Sequence, residues 1–133
     1  MAQQLEDPKP LPCVWSRQDL HRSVYAIDHC FPWARWQNND FWNLLPVTER
    51  ANSAKSDRLP AAALMERSRE DILSWWNIII GQPELATQFH DEAQASLPLV
   101  HSNSLESLFD SVLIQRQRLR ANQQLVEWHG LFS

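Results

Sequence analysis

The pattern of apolar and polar positions divides the chain into a strand-rich first half and a helical second half. Residues 1–10 are polar and contain two prolines, a composition that predicts a flexible tail or linker. Two short runs rich in β-branched and aromatic residues follow, Cys13–Trp15 and Ser23–Ile27. A polar stretch separates the two runs, and this arrangement predicts that they pair as strands.

A loop, a third strand and a short helix are predicted next. Residues 31–40 contain Pro32, three polar amides and Asp40, and these favour a long loop. Trp42–Leu45 is predicted as a strand that ends at Pro46, because proline cannot donate a hydrogen bond to a ladder. Residues 48–57 favour a helix, since a threonine at its start is a typical N-cap. That helix must end before Pro60, because the residue preceding a proline avoids the α conformation.

Three longer helices are predicted in the second half. Residues 61–81 place their apolar side chains on one stripe, with a glycine where the helix ends. Residues 83–97 begin with a proline, which suits a first helical turn. The last helix is predicted over residues 103–127, where Asn103 and Glu106 resemble a capping box. Its apolar face comprises Leu105, Phe109, Val112 and Leu119, with Val126 in line near the end.

These elements predict an α+β fold in one domain. Residues 11–60 would form a small antiparallel hairpin and a helix, and residues 61–133 would form a helical extension of about three helices packed on that core. A chain of 133 residues is long enough for one domain with its own hydrophobic core.

The charge distribution restricts the partners that the chain can bind alone. The net charge is −4, and residues 1–70 hold nine basic and nine acidic side chains, so the acidic excess lies beyond them. Phosphate neutralisation by Lys and Arg dominates nucleic-acid affinity, so this balance argues against an independent, high-affinity DNA binder. It leaves open a domain that other domains or subunits bring to its target.

The two cysteines and the apolar stretches bear on cellular context. Cys13 and Cys30 form no CxxC pair, which argues against a zinc knuckle and for buried thiols in a reducing compartment. No apolar stretch has the length of a membrane span, and the N-terminus lacks a signal pattern. We therefore expect a cytoplasmic protein that does not act at a membrane.

Asp28, His29, Asn52 and Lys55 combine side chains suited to phosphodiester hydrolysis. Asp28 and His29 are consecutive at the end of a predicted strand, so one can hold a metal while the other addresses a nearby water. Asn52 and Lys55 share a face of the predicted helix. Carboxylate and amide oxygens suit a hard divalent cation, and histidine titrates near neutral pH, as a general base requires.

Three segments together resemble the HNH (ββα-metal) endonuclease family. They are a strand that ends in Asp28-His29 followed by Pro32-Trp33, then Trp42-Asn43-Leu44, then Asn52-x-x-Lys55-Ser-Asp-x-Leu-Pro60. The resemblance covers about Cys13 to Pro60. It is similar to the variant found in restriction-type HNH proteins and in the HNH domain of CRISPR effector nucleases.

The resemblance implies a role for each matching residue. His29 would be the general base, and Asp28 and Asn52 would hold one divalent cation. Asn43 would tie the loop to the strand and help to orient His29, and Lys55 would lie near the scissile phosphate. Because asparagine stands where other members carry a final histidine, Mg²⁺ or Mn²⁺ is expected rather than zinc. The knuckle cysteines are missing, so no structural zinc is expected.

The remaining cationic and aromatic residues are weaker candidates. Lys55, Arg58 and Arg35 are predicted to contact nucleic acid, with Arg22 as a lesser candidate, although each also suits a solvated face. Three tryptophans near the motif suggest base stacking, but at least two of them are expected to pack against the hairpin instead. These are Trp33, Trp36 and Trp42. Arg116, Arg118 and Arg120 are predicted to face solvent.

The sequence favours a metal-dependent endonuclease that acts on DNA, and two alternatives stay open. One is a non-catalytic nucleic-acid-binding or assembly module of the same fold, which the acidic balance supports. The other is an RNA-directed nuclease. The resemblance implies cleavage to a 5′-phosphate and a 3′-hydroxyl, and it fits a role in restriction or phage defence. Cutting both strands would require two active sites, as in a homodimer, or sequential nicking.

Overall fold

An antiparallel strand pair and a short helix carry the residues of the predicted site. The computed structural model describes residues 11–20, 25–98 and 104–131, and the predictions for residues 1–10, Arg22 and Asn103 lie outside them. Strand β1 is Tyr25–His29 and strand β2 is Leu44–Thr48. They pair from Tyr25 opposite Thr48 to His29 opposite Leu44. The predicted α+β architecture, with a small hairpin followed by helices, is confirmed.

The predicted strand pairing is wrong, because β1 pairs with the third predicted strand rather than the first. The chain forms a turn at residues 14–16 instead, and Pro12 and Asp19 on either side of it form an isolated bridge. Cys13, Val14 and Trp15 are buried in the core. Their apolar character therefore reflects burial, which short apolar runs signal as readily as they signal a strand.

Strand β2 also continues through Pro46, where the sequence predicted its end. Pro46 lies opposite Ile27, and its carbonyl accepts a hydrogen bond from the backbone N–H of Val14 at 3.3 Å. In a sheet of two strands, the missing N–H of a proline can fall on the unpaired edge, where it removes no ladder bond. The segment Phe41–Asn43 before β2 is a 3₁₀ turn.

Helix α1, Glu49–Lys55, follows β2 directly. The Thr48 side chain accepts a hydrogen bond from the N–H of Ala51 at 3.1 Å, so the predicted N-cap is confirmed. The helix ends two residues before the predicted Asp57, because Ser56 adopts φ 52°. A positive φ interrupts the helical backbone and turns the chain toward strand β3, Leu59–Pro60.

Four helices follow among the described residues. They are α2 Ala62–Arg67, α3 Arg69–Ile80, α4 Pro83–Ser96 and α5 Leu105–Gln123. The predicted helix over residues 61–81 is therefore two helices, which meet at Ser68. Helix α4 begins with its proline as predicted. Helix α5 is capped by the Ser104 side chain, which accepts from the N–H of Ser107.

A short parallel strand pair joins the two ends of the helical extension. Helix α5 ends where Gln124 takes a left-handed conformation, and strand β4, Glu127–Trp128, then pairs with β3. Arg116 is buried, contrary to the prediction that it faces solvent. Its guanidinium donates to the Pro60 carbonyl at 2.7 Å and forms an ion pair with Glu127, so it joins α5 to both strands.

One hydrophobic core extends from the hairpin into the helices. It joins Cys13, Phe31, Trp42 and Leu45 of the first half to Leu64, Ile72, Trp76, Phe89, Phe109 and Trp128 of the second. Cys13 and Cys30 are both free and buried, as expected. No helix within the described ranges is long and apolar enough to cross a membrane.

Candidate active site

Asp28 lies at the centre of a buried polar group. Strand alternation turns its side chain inward, where it is 5% exposed. The indole N–H of Trp15 donates to Oδ2 at 2.9 Å, and the Lys55 ammonium lies 3.1 Å from the same oxygen. Oδ1 receives a longer contact of 3.4 Å from Lys55. Oδ2 is thus doubly held, and Oδ1 is the oxygen with capacity for another ligand.

Lys55 is fully buried, which the sequence did not indicate. Its ammonium pairs with Asp28 and donates to the His29 carbonyl oxygen at 2.9 Å. Lysine is almost never buried without a partner, and here the Asp28 carboxylate neutralises it. The ammonium group faces the end of β1 rather than solvent, so the predicted contact with a phosphate is not open to it in this structure.

His29 is half-buried and turned to the opposite side of β1 from Asp28. Its Nε2 lies 2.8 Å from the side-chain oxygen of Asn39. Because an amide oxygen only accepts, Nε2 carries the proton in this arrangement, and Nδ1 of a neutral ring holds the lone pair. The Trp33 ring lies beside the imidazole, with 5.6 Å between ring centroids.

Asn43 and Asn39 divide the supporting role that the sequence gave to Asn43 alone. Asn43 is fully buried, and its Oδ1 accepts from the Phe31 N–H at 2.9 Å. Its Nδ2 donates to the Asn38 carbonyl at 2.9 Å. Asn43 therefore holds the loop between β1 and β2 at two points, Phe31 and Asn38. Asn39, the next residue on that loop, contacts the His29 ring. Sequence reasoning missed Asn39, because loop asparagines also serve turns.

Asn52 meets Asp28 and His29 at a pocket of about 430 Å³. Among the residues that the structure describes, none hydrogen-bonds to the Asn52 side chain, so its amide is available to a ligand. A carboxylate oxygen and an amide oxygen at one pocket form a hard donor set. Within the described ranges, no three His, Cys, Asp or Glu side chains cluster as a metal site. A cation held by Asp28 and Asn52 would therefore take water molecules as its other ligands.

The two arginines predicted to bind nucleic acid are both engaged with the protein. Arg35 forms an exposed ion pair with Asp57 at 3.4 Å, and Asp57 lines the pocket. Arg58 donates to the carbonyls of Ala54 and Lys55 at the end of helix α1. A cation there stabilises the negative end of the helix dipole. Of the two, only Arg35 lies in an exposed pair at the pocket rim.

Cys30, next to His29 in the chain, is a structural thiol. Its sulphur lies 3.7 Å from that of Met65. Burial raises the pKa of Cys30 to about 12, so the thiol stays protonated at neutral pH. A protonated, buried thiol cannot act as a nucleophile or as a metal ligand.

Trp15 is a second residue that the motif did not identify. Besides its bond to Asp28, it packs edge-to-face against Trp128 of strand β4, with 6.2 Å between ring centroids. Trp128, near the end of the described residues, thus packs against Trp15, which donates to the Asp28 carboxylate. The only available signal was general: a buried tryptophan requires an acceptor for its indole N–H, and Asp28 was a nearby candidate.

Comparison with known families identifies this segment. A family model described as HNH endonuclease matches residues 15–61, the range that carries Trp15, the hairpin and helix α1. No curated protein matches the chain. Members of that family are nucleases, which act on nucleic acid and generally use a divalent metal ion. Over residues 15–61, about a third of the chain, this protein is therefore similar to the HNH endonuclease family.

Proposed function

We propose that this protein is a metal-dependent endonuclease that hydrolyses phosphodiester bonds of DNA. The observation that carries the proposal is the convergence of Asp28, His29 and Asn52 at one pocket. Two of these side chains come from the end of β1 and the third from helix α1. Rigid elements hold all three in place, which suits a site that requires fixed geometry.

The pocket fits one divalent cation, Mg²⁺ or Mn²⁺. Asp28 would contribute Oδ1, which receives only the longer 3.4 Å contact from Lys55, and Asn52 would contribute its amide oxygen, to which no described residue hydrogen-bonds. When bound, such a cation neutralises charge on the phosphate and assists the leaving oxygen. Lys55 and Trp15 both hold Oδ2 of Asp28 and leave Oδ1 less tightly held, so we assign Lys55 a positioning role in place of phosphate contact.

His29 would act as the general base through Nδ1. Asn39 holds Nε2 with its proton, so the lone pair on Nδ1 can accept a proton from water. The water oxygen then attacks phosphorus, the bond from phosphorus to the 3′-oxygen breaks, and the 3′-oxygen takes a proton from solvent water. The products are a 5′-phosphate and a 3′-hydroxyl. Arg35, released from its exposed pair with Asp57, would contact a neighbouring phosphate.

Plasmid nicking tests the catalytic proposal. Purified protein is incubated with supercoiled DNA in Mg²⁺ or Mn²⁺, with chelator as one control and His29→Ala as another. We expect nicking by the wild type alone, because loss of a general base costs about 10²–10⁴-fold in rate. His129→Ala, an exposed histidine outside the pocket, is the matched control and should cut normally. Nicking that survives in His29→Ala would contradict the mechanism.

Calorimetry of metal binding tests the ligand assignment separately. Asn52→Ala should weaken Mn²⁺ binding at least tenfold. The control is the next residue on helix α1: Ser53→Ala should bind as the wild type does, because Ser53 is exposed and outside the pocket. Full metal affinity in Asn52→Ala would show that the ligand is another residue, even if activity were intact.

The acidic composition favours a second candidate, a nucleic-acid-binding or assembly module without turnover. The chain carries a net charge of −4, and all three cations predicted to bind nucleic acid have partners in the protein. Failure to cut duplex DNA, single-stranded DNA or RNA in any divalent metal would support that candidate. Cutting of RNA alone would support an RNA-directed nuclease instead.

A further inference from the structure

The pocket at His29 is lined by both polar and apolar side chains. The polar ones are Asp28, His29, Asn52, Ser56 and Asp57. The apolar ones are Ile27, Pro32, Trp33 and Ala34, of which three are close neighbours in the chain. A nucleotide also combines the two kinds of surface, since its phosphate is charged and its base presents apolar faces. We propose that the apolar lining residues bind an unstacked base of the nucleotide next to the scissile phosphate, with Trp33 as the stacking platform.

The structure distinguishes Trp33 from the two other tryptophans near the motif. Trp42 is 1% exposed, and Trp36 packs against both Phe31 and Trp42, with 5.9 and 5.6 Å between ring centroids. Trp33 is 44% exposed, and its only ring contact among the described residues is with His29. Two of the three tryptophans are thus core residues, as predicted, and the third is exposed at the site.

The backbone around Trp33 is held in place before any ligand binds. The N–H groups of Arg35 and Trp36 both donate to the Pro32 carbonyl, at 2.8 and 3.0 Å, and form a tight turn. Asn43 fixes the residue that precedes this turn through the Phe31 N–H. A platform that is already ordered loses little conformational entropy on binding, which favours stacking.

The position of Trp33 relative to His29 determines which base would reach it. The centroids of the two rings lie 5.6 Å apart. A phosphate cleaved by water that His29 activates and a base stacked on Trp33 would therefore belong to the same nucleotide or to adjacent nucleotides. In a duplex, both faces of a base are covered by its neighbours in the stack. The base on Trp33 must therefore be unpaired or flipped out. The inference rests on the proposed nuclease function and narrows its substrate to nucleic acid that is unpaired at the cleaved position.

A double-mutant cycle between protein and substrate tests the contact. The wild type and Trp33→Ala are compared on a single-stranded oligonucleotide whose cleavage position has been mapped, with either a normal base or an abasic site next to that position. Base–aromatic stacking by alanine substitution predicts that either change alone lowers kcat/KM by about 5- to 100-fold. Trp33→Ala acting on the abasic strand should lose no more kcat/KM than either change causes alone.

Two protein variants and one substrate serve as controls. Trp33→Phe should retain most of the effect, because phenylalanine also presents an aromatic face. Ile78→Ala removes another exposed apolar side chain outside this pocket and should change nothing. A duplex of the same sequence should be cut more slowly than the single strand. Independent losses in the cycle, or faster cleavage of the duplex, would overturn the inference.

A binding measurement separates this inference from the nuclease proposal. Anisotropy of the labelled oligonucleotide is recorded in chelator with wild type and Trp33→Ala, each with normal and abasic strands. If the wild type cuts no nucleic acid but the cycle in affinity shows coupling, the nuclease proposal fails and the base site stands. If the enzyme cuts and neither cycle shows coupling, the base site fails and the nuclease proposal stands.

Discussion

The segment that the family model matches, residues 15–61, and the helical extension that follows it bury different kinds of side chain. Residues 25–60 bury Asp28, Asn38, Asn43 and Lys55, and hydrogen bonds join these groups to strands, loop and helix. Helices α2 to α5 bury mainly apolar side chains, with three polar exceptions: Ser68, Ser111 and Arg116. Burial of polar groups favours fixed geometry and adds little net stability, whereas apolar burial stabilises in proportion to area. The first region thus holds a site, and the second stabilises the fold around it.

The extension also contacts the segment that carries the site, through hydrogen bonds to the backbone before and within β2. Glu92 of helix α4 accepts from the Phe41 N–H at 2.9 Å. Trp75 of helix α3 donates to the Leu44 carbonyl at 2.9 Å. Strand β4 adds Trp128 behind Trp15. The residues matched by the family model therefore depend on residues outside the match, and substitutions in the two regions should differ in what they damage.

Lys55→Met should have the largest effect, because it damages both stability and activity. Removing one partner of a buried ion pair leaves an uncompensated charge, here Asp28, at about 3–5 kcal/mol. Urea unfolding should show that loss, and nicking should fall as Asp28 loses its position. Adding Asp28→Asn should recover much of the stability and none of the activity. A loss below about 1 kcal/mol would mean that the pair is not buried in solution.

Leu108→Ala should damage stability alone. Leu108 is fully buried on helix α5, and truncation of a buried leucine costs about 2–5 kcal/mol. Below the midpoint of unfolding, the nicking rate per folded molecule should equal that of the wild type. A reduced rate at full folding would show that the packing of α5 influences the site more directly than this comparison implies.

Trp15→Phe should lie between these cases, because Trp15 links the regions. The phenyl ring preserves packing near Trp128 but removes the hydrogen bond to Asp28, at about 1.5–3 kcal/mol for a bond to a charged group. Mn²⁺ affinity, measured by electron paramagnetic resonance, should fall about 10- to 100-fold. Trp75→Phe loses an indole hydrogen bond of the same 2.9 Å length, to the Leu44 carbonyl, and should bind Mn²⁺ normally. Equal losses in the two variants would refute a specific role for Trp15.

Arg35→Ala should have the smallest effect on stability. Its ion pair with Asp57 is exposed, and such pairs contribute about 0–1 kcal/mol. Binding to DNA should weaken, and the slope of log affinity against log salt should decrease in magnitude by about one. Unchanged salt dependence would remove Arg35 from the phosphate contacts.

The sequence predicted the positions of the helices and the pocket residues more reliably than the partners of each side chain. Local signals suffice for the first: Thr48 caps α1, and Pro83 begins α4. Partners depend on tertiary packing. Strand β1 pairs with β2, whereas residues 13–15 are buried in the core without pairing to β1, and no local pattern distinguishes a buried turn from a strand.

Two cations illustrate the same limit. Lys55 and Arg116 have the sequence context of solvated helix residues, yet both are buried against carboxylates distant in sequence, Asp28 and Glu127. A charged side chain becomes buried when the fold brings it a partner, and that partner is set by topology. The motif predicted that Asp28, His29 and Asn52 would lie close together, because a family resemblance carries information about how distant residues are arranged. It carried no information about Trp128, which lies beyond the matched range.

The pairing of β3 with β4 also bears on the order in which the molecule is assembled. It joins Leu59 to Glu127, which lie far apart in the chain, whereas only residues 30–43 separate β1 from β2. Closing a long loop costs more chain entropy, so distant contacts form late unless other packing precedes them. During synthesis, Trp15 lacks its neighbour until residue 128 has left the ribosome. The carboxylate at the centre of the site would therefore gain its full support only near the end of folding.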